Sequence, residues 1–344
     1  MAVLYATGWE AGSFAWYSGS AVGWVFSQSG LSTNPSQQHR TAGGVGGNYS
    51  VGIGWGAAVQ PGTVTAGTAK WLHFWGLPSS PGSNRFVVQF GRNTTCQINV
   101  GFEPSGAISI YRGSTLLGQT IGAWNAMLPH WFALEVVADN AGYVNVYVDG
   151  NLAATYSGDT QEDATLSGWD RFGFGSNISP YPYYFADMGS VYVDDIIVTD
   201  DATPLPEHYV AVLSPDGDTA QADFTPSSAG SHYDKVDEIP ENTADYNTAT
   251  LSGQEDRYTV SNPPSMDSIL CVNICARATR DGALTQGEIS VKSGSTVDYS
   301  TPETLPASPA YYSMQYLLET DPDTGLAWDN AGVAAMEIGF RVTT

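Results

Sequence analysis

Hydrolysis of a glycosidic bond needs two carboxyl groups facing one cleft, one to protonate the leaving oxygen and one to attack or to activate water. The chain has no Glu-x-Asp-x-x-Glu run that would alternate such groups along a strand. Its nearest candidates are Glu135, in Trp131-Phe-Ala-Leu-Glu-Val-Val, and the pair Asp194 and Asp195, in Val193-Asp-Asp-Ile-Ile-Val. They lack the required spacing, and outward-facing polar positions on strands explain all three. His39, His73, His130, His208 and His232 are scattered, with no Gly-x-Ser-x-Gly elbow near any of them. Cys271 and Cys275 have no matching pair for a zinc site, and the Val-Asn-Ile between them suits a core strand with buried thiols. No catalytic residue is assigned, and the chain is expected not to be an enzyme.

Binding chemistry is better supplied. A sugar is recognised by aromatic faces set beside hydrogen-bonding groups, and Ser179-Pro-Tyr-Pro-Tyr-Tyr-Phe brings Tyr181, Tyr183 and Tyr184 close together. Amphipathic rings of this kind serve equally in packing against a neighbouring subunit, which is the plainer reading of the same residues.

The elements that must position these residues read as strands. Trp131–Val137 and Tyr143–Asp149 flank a five-residue turn, and Val144, Val146 and Val148 alternate with Tyr143, Asn145 and Tyr147, so one face meets a core and the other meets water. The same pattern of strand, turn and strand recurs at Asn84–Phe90, Ala107–Tyr111, Thr115–Gly118, Asp170–Ser176 and Gly189–Val198. Short strands at this spacing predict an antiparallel sandwich. Thr199-Asp-Asp-Ala-Thr-Pro-Leu-Pro then breaks the pattern, placing a domain boundary between Asp200 and Pro206 and giving domains 1–204 and 205–344. Beyond it, strands are predicted at Tyr209–Leu213, Ser268–Ala278, Gly287–Lys292, Tyr311–Leu318 and Met336–Val342, with a short helix over Asn330–Ala335. The polar stretch Ser214–Gln254 is expected to be a long loop, ordered by a partner.

Composition sets limits on function. Charged residues make up 14 % of the 344, against 38 Gly, 19 Tyr, 12 Phe and 10 Trp, a balance typical of all-β folds. With 35 acidic and 12 basic residues the formal charge is −23, so nucleic acid is not an expected partner. The part after Pro204 is the more acidic, with 21 acidic and 6 basic residues against 14 and 6 before it. Cys96, Cys271 and Cys275 are read as free thiols of a reducing compartment. No run approaches the length of a membrane span, and the first residues lack the pattern of a signal peptide, so neither membrane insertion nor export is expected.

From Ala107 to Val198 the order of elements resembles the concanavalin A-like, laminin-G-type jelly roll: a Trp-led strand, a strand closed by Val148-Asp-Gly-Asn and a late Val193-Asp-Asp-Ile-Ile-Val strand. Past that strand, Pro215-Asp-Gly-Asp, Phe224-Thr-Pro, Tyr233-Asp-Lys-Val-Asp-Glu, Glu319-Thr-Asp-Pro-Asp-Thr-Gly-Leu-Ala-Trp-Asp-Asn-Ala-Gly and Ile338-Gly-Phe-Arg-Val are similar to a recurrent structural protein of tailed bacteriophages.

The resemblance implies an all-β fold, an N-terminal concanavalin A-like jelly-roll β-sandwich followed by a smaller C-terminal β-sandwich. It implies a non-enzymatic structural protein on the virion surface, tail-associated or capsid-decorating, assembled in the host cytoplasm as a homo-oligomer, a trimer or hexamer, beside other virion proteins. Host-surface glycan adhesion by the jelly roll goes with it, and a tail depolymerase is the alternative. No cofactor is implied beyond calcium, which laminin-G-type folds hold at a rim; Asp194, Asp195, Asp200 and Asp201 are its candidate ligands.

Overall fold

A computed structural model describes residues 3–7, 25–28, 39–40, 50–53, 57–60, 70–78, 86–93, 95–125, 128–175, 191–238, 242–308 and 311–344. The described residues up to Val210 form one compact unit and those from Ala211 a second.

The described residues of the first unit form fifteen strands: β1 (Val3–Thr7), β2 (Val25–Gln28), β3 (His39–Arg40), β4 (Ser50–Ile53), β5 (Ala57–Gln60), β6 (Trp71–Pro78), β7 (Phe86–Arg92), β8 (Thr95–Phe102), β9 (Ile108–Arg112), β10 (Thr115–Thr120), β11 (His130–Val137), β12 (Gly142–Val148), β13 (Asn151–Gly158), β14 (Arg171–Gly175) and β15 (Val191–Thr199). They make two antiparallel sheets. An eight-stranded sheet runs β13-β12-β11-β6-β15-β4-β3, with β1 also on β15, and a seven-stranded sheet runs β10-β9-β8-β7-β14-β5-β2. This is the expected jelly-roll sandwich.

Strand alternation drives the packing. Val144, Val146 and Val148 point inward and are buried, while Tyr143, Asn145 and Tyr147 on the same strand are half-buried. The core is aromatic. Phe74 and Phe132, from neighbouring strands of the eight-stranded sheet, stack 5.1 Å apart. They meet Phe174 and Phe102 of the other sheet edge-to-face at 4.9 and 4.7 Å. Gly76 is what lets Phe132 lie there, since a Cβ on Gly76 would come within 2.9 Å of its ring. Removing such a ring costs about 3–5 kcal/mol. The β12–β13 turn, Asp149-Gly150, has positive φ at both residues (50° and 77°), as the two-residue turn of a tight hairpin requires.

The second unit comprises β16 (Pro215–Ala222), β17 (Thr225–Pro226), β18 (Asn247–Thr248), β19 (Glu255–Val260), β20 (Val272–Ala278), β21 (Gln286–Ser293), β22 (Thr296–Tyr299), β23 (Glu303–Thr304), β24 (Tyr312–Leu318), α1 (Asn330–Ala335) and β25 (Glu337–Val342). A six-stranded sheet, β16-β19-β25-β21-β22 with β23 on β21, is accompanied by the ribbons β20–β24 and β17–β18. Ile289, Val291, Val260, Ile274, Met314 and Trp328 belong to one buried cluster. Helix α1 starts on Asp329, whose carboxylate accepts the Gly332 N–H at 2.7 Å.

Three expectations change here. Tyr209–Leu213 is not a strand; the segment Leu205–Val210 belongs to the first unit, where the Val210 N–H donates to Asp195. Ser214–Gln254 is not a long loop but holds β16, β17, a 3-10 turn at Tyr233–Lys235 and β18, ordered by contacts within the chain. Finally, Ile274 is the one fully buried residue of β20, with Val272, Ala276 and Ala278 packed against the same cluster. Cys275 points the other way, opposite Gln315, and is exposed, Cys271 is half-buried, and Cys96 is the fully buried thiol; all three are free.

Candidate functional site

The outward face of the eight-stranded sheet gathers the polar chemistry. Register along β6 and β11 sends Leu72, Phe74, Phe132 and Leu134 inward and Trp71, His73, Trp75, Trp131 and Glu135 outward.

Over β12 and β13, and at Glu135 of β11, that face is open. The Tyr143 hydroxyl donates to Glu135 Oε1 at 2.8 Å and Asn145 Nδ2 donates to Oε2 at 2.9 Å. The Thr155 hydroxyl donates in turn to Asn145 Oδ1 at 2.7 Å. Glu135, Asn145 and Thr155 sit opposite one another on successive strands, so the ladder crosses the sheet at right angles to the chain. Beside it the Tyr147 ring lies 5.7 Å from that of Trp71, tilted by 48°. Burial, and then the bond to Glu135, push the Tyr143 phenol up to about 12, so it remains a donor through the neutral range.

Over β6 and β15 the same face is covered by Leu205–Val210. The half-buried His208 ring packs edge-on against Trp131 at 4.2 Å and against His73 at 6.0 Å. Trp75 Nε1 donates to the His208 carbonyl at 3.3 Å, and Trp71 Nε1 to that of Asp201 at 2.9 Å. His73 lies nearly parallel to Trp71 and Trp131, with centroids 5.7 and 5.9 Å away; it is fully buried and neither ring nitrogen has a hydrogen-bond partner. Burial, with His208 adding to it, lowers His73 to about 3, and burial lowers His208 to about 4. Both rings are neutral at pH 7.

The aspartates anticipated as calcium ligands are spread along β15 and just past it. Strand β15 bulges between Asp194 and Ile197, with Asp195 at φ +47°. Asp194 and Asp195 are buried rather than exposed; Asp194 lies opposite Trp75, on the covered part of the outward face. Asp194 Oδ1 accepts the Asp195 N–H at 2.9 Å, and Asp195 Oδ1 accepts the Val210 N–H at 2.9 Å. Asp200 and Asp201 are half-buried just past the strand. The Asp194 and Asp195 carboxylates hold the bulge and the covering segment, and among the described residues no three His, Cys, Asp or Glu side chains group as a metal site. Tyr181, Tyr183 and Tyr184 lie outside the described residues.

Two histidine–carboxylate pairs were not foreseen. An open groove of about 620 Å³ is lined by Thr120, Ile121, Trp124, His130, Asn151 and Leu152 among others. There His130 Nδ1 meets Asp149 Oδ2 at 2.7 Å and Nε2 meets the Asn125 carbonyl at 2.9 Å. Both ring nitrogens are thus engaged by oxygen atoms of the protein. In the second unit the buried Asp256 accepts from His232 Nδ1 at 2.7 Å, the Tyr258 hydroxyl at 3.0 Å and the Phe224 N–H at 2.8 Å, clamping the β17–β18 ribbon to β19. Residues far apart in sequence make both pairs, which spacing alone does not reveal. The open ladder did have a sequence signal, the Tyr-x-Asn-x-Tyr alternation of β12, which marks a polar face but not its partners on β11 and β13.

No protein-family model matches the chain, and no curated protein is similar to it at a significant level. Solved structures do resemble it in part. The Caenorhabditis elegans galectin LEC-6 is 14 % identical over 49 % of this chain and 99 % of its own, with a TM-score of 0.29. An endo-β-1,4-glucuronan lyase from Trichoderma reesei is 13 % identical over 47 % and 86 %, with a TM-score of 0.32. A Trypanosoma rangeli sialidase is 15 % identical over 44 % of this chain, which spans only 25 % of the enzyme, with a TM-score of 0.33. At TM-scores below 0.5 none of these likenesses bears on ligand or activity, and the fold described above rests on its own sheets.

Proposed function

We propose that the protein binds a polysaccharide without cleaving it, through the outward face of β11, β12 and β13, as a surface-exposed structural component of a bacteriophage particle. The observation that carries the binding reading is the Glu135–Tyr143–Asn145–Thr155 ladder beside Tyr147. It offers pre-oriented hydroxyl, amide and carboxylate groups next to the half-buried Tyr147 ring, on which a sugar's C–H face can stack. Binding is favoured over hydrolysis by the distance from Glu135 to Asp194. Asp194, another strand acid weighed in the sequence, is paired with Trp75, about 13 Å along the sheet from Trp71, the residue opposite Glu135. That exceeds the separations of glycosidase carboxyl pairs. The virion setting is supported by the sequence resemblance running beyond Val193. The Tyr181, Tyr183 and Tyr184 loop remains a second proposed contact, and a rim calcium a proposal for the Asp194–Asp201 edge.

The test is retention of the protein on immobilised host polysaccharides, with polymer size followed in parallel. Saturable retention, weakened at least about tenfold by Tyr147→Ala and Asn145→Ala at unchanged polymer size, is the expected result. Shortening of the polymer would establish a depolymerase, and retention indifferent to both variants but lost in Tyr183→Ala would move the site to the second loop. Absence of the chain from purified particles would remove the virion role.

A further inference from the structure

Among the described residues, both ring nitrogens of His73, Trp131 Nε1 and Thr199 Oγ1 on the outward face of the eight-stranded sheet are buried without a hydrogen-bond partner, as is Nε2 of His208 above them. Buried polar groups are nearly always paired, so orphans gathered on one stretch of sheet call for a physical reason. The segment that covers this face, Leu205–Val210, is lightly held. Leu205 is buried, but Pro206, Glu207 and Tyr209 are exposed, Pro206 has no N–H to give, and no strand forms there. The Val210 N–H on Asp195 at 2.9 Å and Trp75 Nε1 on the His208 carbonyl at 3.3 Å tie it down. A cover with so little buried surface and backbone pairing is the kind that opens locally, well before the fold around it.

We propose that the face under Leu205–Val210 is a second subsite for an uncharged polysaccharide, and that the segment is its removable cover, lifting so that a chain bound at Tyr147 continues over Trp71, His73 and Trp131. The inference rests on the reading of Tyr147 and its ladder as a glycan site. Continuity, ring chemistry and charge select the ligand. The Tyr147 ring lies 5.7 Å from Trp71, Trp71 lies 5.7 Å from His73, and His73 lies 5.9 Å from Trp131, so an unbroken row of rings leads from the open ladder under the cover. A neutral imidazole keeps one donor and one acceptor, which match a sugar hydroxyl that both accepts and gives, and the free Trp131 N–H and Thr199 hydroxyl add to them. The His208 ring, packed against Trp131 at 4.2 Å, takes the place in which a saccharide ring would stack, so the segment's own imidazole stands in for the ligand. Strands β6, β11, β12, β13 and β15 carry no Lys or Arg, while Glu135 and Asp194 lie on this face and the chain has a charge of −23. A uronate or phosphate polymer would find repulsion and no counter-charge.

The experiment is affinity electrophoresis of the full chain through gels holding dextran, laminarin, mannan or the polyuronate alginate, with modification of His73 by diethyl pyrocarbonate, located by peptide mass spectrometry, reporting whether the cover is open. Leu205→Ser removes the buried anchor of the segment. It should speed His73 modification and strengthen retardation by at least one uncharged polymer about tenfold, with alginate inert. His73→Phe, which keeps the ring and removes both nitrogens, should cancel that gain in the Leu205→Ser background. Equal retardation of Leu205→Ser and wild type while His73 reacts faster overturns the inference; loss of retardation in Tyr147→Ala in the same gels would leave the ladder site standing. A gain in Leu205→Ser that survives Tyr147→Ala does the reverse, keeping the covered subsite and removing the ladder. A gain on alginate alone overturns the inference, as does His73 that stays unreactive in Leu205→Ser, which would make the segment a permanent part of the fold. If Leu205→Ser does not fold, the wild type decides. Polymer should then speed exchange of the Val210 amide, and an amide that exchanges at the same rate with and without each polymer overturns the inference.

Discussion

The Tyr143 hydroxyl donates a 2.8 Å hydrogen bond to Glu135 Oε1 from the adjacent strand, and the Asn145 amide donates to Oε2, so each carboxylate oxygen holds one neighbour of β12. The phenol is raised to about 12 by burial first and by Glu135 second. Replacing the carboxylate by an amide removes the second cause and keeps the first. In Glu135→Gln the Tyr143 titration should therefore move part of the way back toward 10. Carbon NMR of labelled tyrosine, assigned by loss of one resonance in Tyr143→Phe, reads the shift. An unchanged titration would mean that the carboxylate does not hold the phenol, and the ladder would lose its centre.

His73 and His208 give the first unit a defined acid sensitivity. Both have folded-state values, about 3 and about 4, below the ordinary 6.5, so the unfolded chain takes up their protons first. The stability they permit is complete above about pH 6.5 and is lost as pH falls toward 4. For buried His73 the loss between pH 7 and pH 4 is of the order of 3 kcal/mol. In His73→Phe, which keeps a ring between Trp71 and Trp131, the difference in urea-unfolding stability between the two pH values should shrink by about that amount. Carboxylates that also titrate in this range contribute equally to both proteins and cancel. Identical pH dependence in the two would show that His73 is not a buried neutral imidazole.

How much of this was legible from the sequence depended on whether the signal was local. Trp131–Val137 and Tyr143–Asp149 announce themselves because their apolar residues alternate, and Asn330–Ala335 because Asp329 caps it. Strand β16, Pro215-Asp-Gly-Asp-Thr-Ala-Gln-Ala, has no large apolar residue to alternate. It is an edge strand held by a bulged ladder to β19, so it reads as loop. The reverse error arose at Tyr209–Leu213, whose apolar residues look like a strand although no strand pairs with them. Among site residues, Glu135 was visible as an isolated acid, but its partners on β12 and β13 follow from register, which no spacing in the sequence encodes.

Asp256 is the residue on which the β17–β18 ribbon depends. It is fully buried and accepts from His232, Tyr258 and the Phe224 N–H, while Asp218 takes the His232 and Tyr233 N–H groups at 3.0 and 2.7 Å. Asp256→Ala leaves three donors without their acceptor and should destabilise the second unit by about 2–4 kcal/mol. Cleavage by limited proteolysis should then fall between Phe224 and Asn247, in a stretch that the wild-type protein protects by itself. If the wild-type chain is cut there as fast as the variant, the clamp does not order the ribbon.

Gly339 clears the ground for Arg257. The two are directly opposite on β25 and β19, and a Cβ at Gly339 would overlap the Asp256 carbonyl, approach Arg257 Cγ to 2.5 Å and Ser290 Oγ to 2.8 Å. Lying across that glycine, the Arg257 guanidinium reaches Glu255 at 3.4 Å and Glu337 at 3.9 Å. Glu337 also pairs with Lys292, and Arg341 pairs with Glu288 while resting 3.7 Å over the Tyr299 ring, so three bases and three acids interlock on one sheet face. Gly339→Ala must push Arg257 aside or shift the strand, at a cost of about 1–3 kcal/mol. Since part of that cost is the arginine's displacement, it should fall by at least about 0.5 kcal/mol when Gly339→Ala is made in an Arg257→Ala background. Chemical denaturation of the four proteins closes the cycle. Strict additivity would mean that the glycine is required by the strand backbone alone, and that the ion network would tolerate a side chain beneath it.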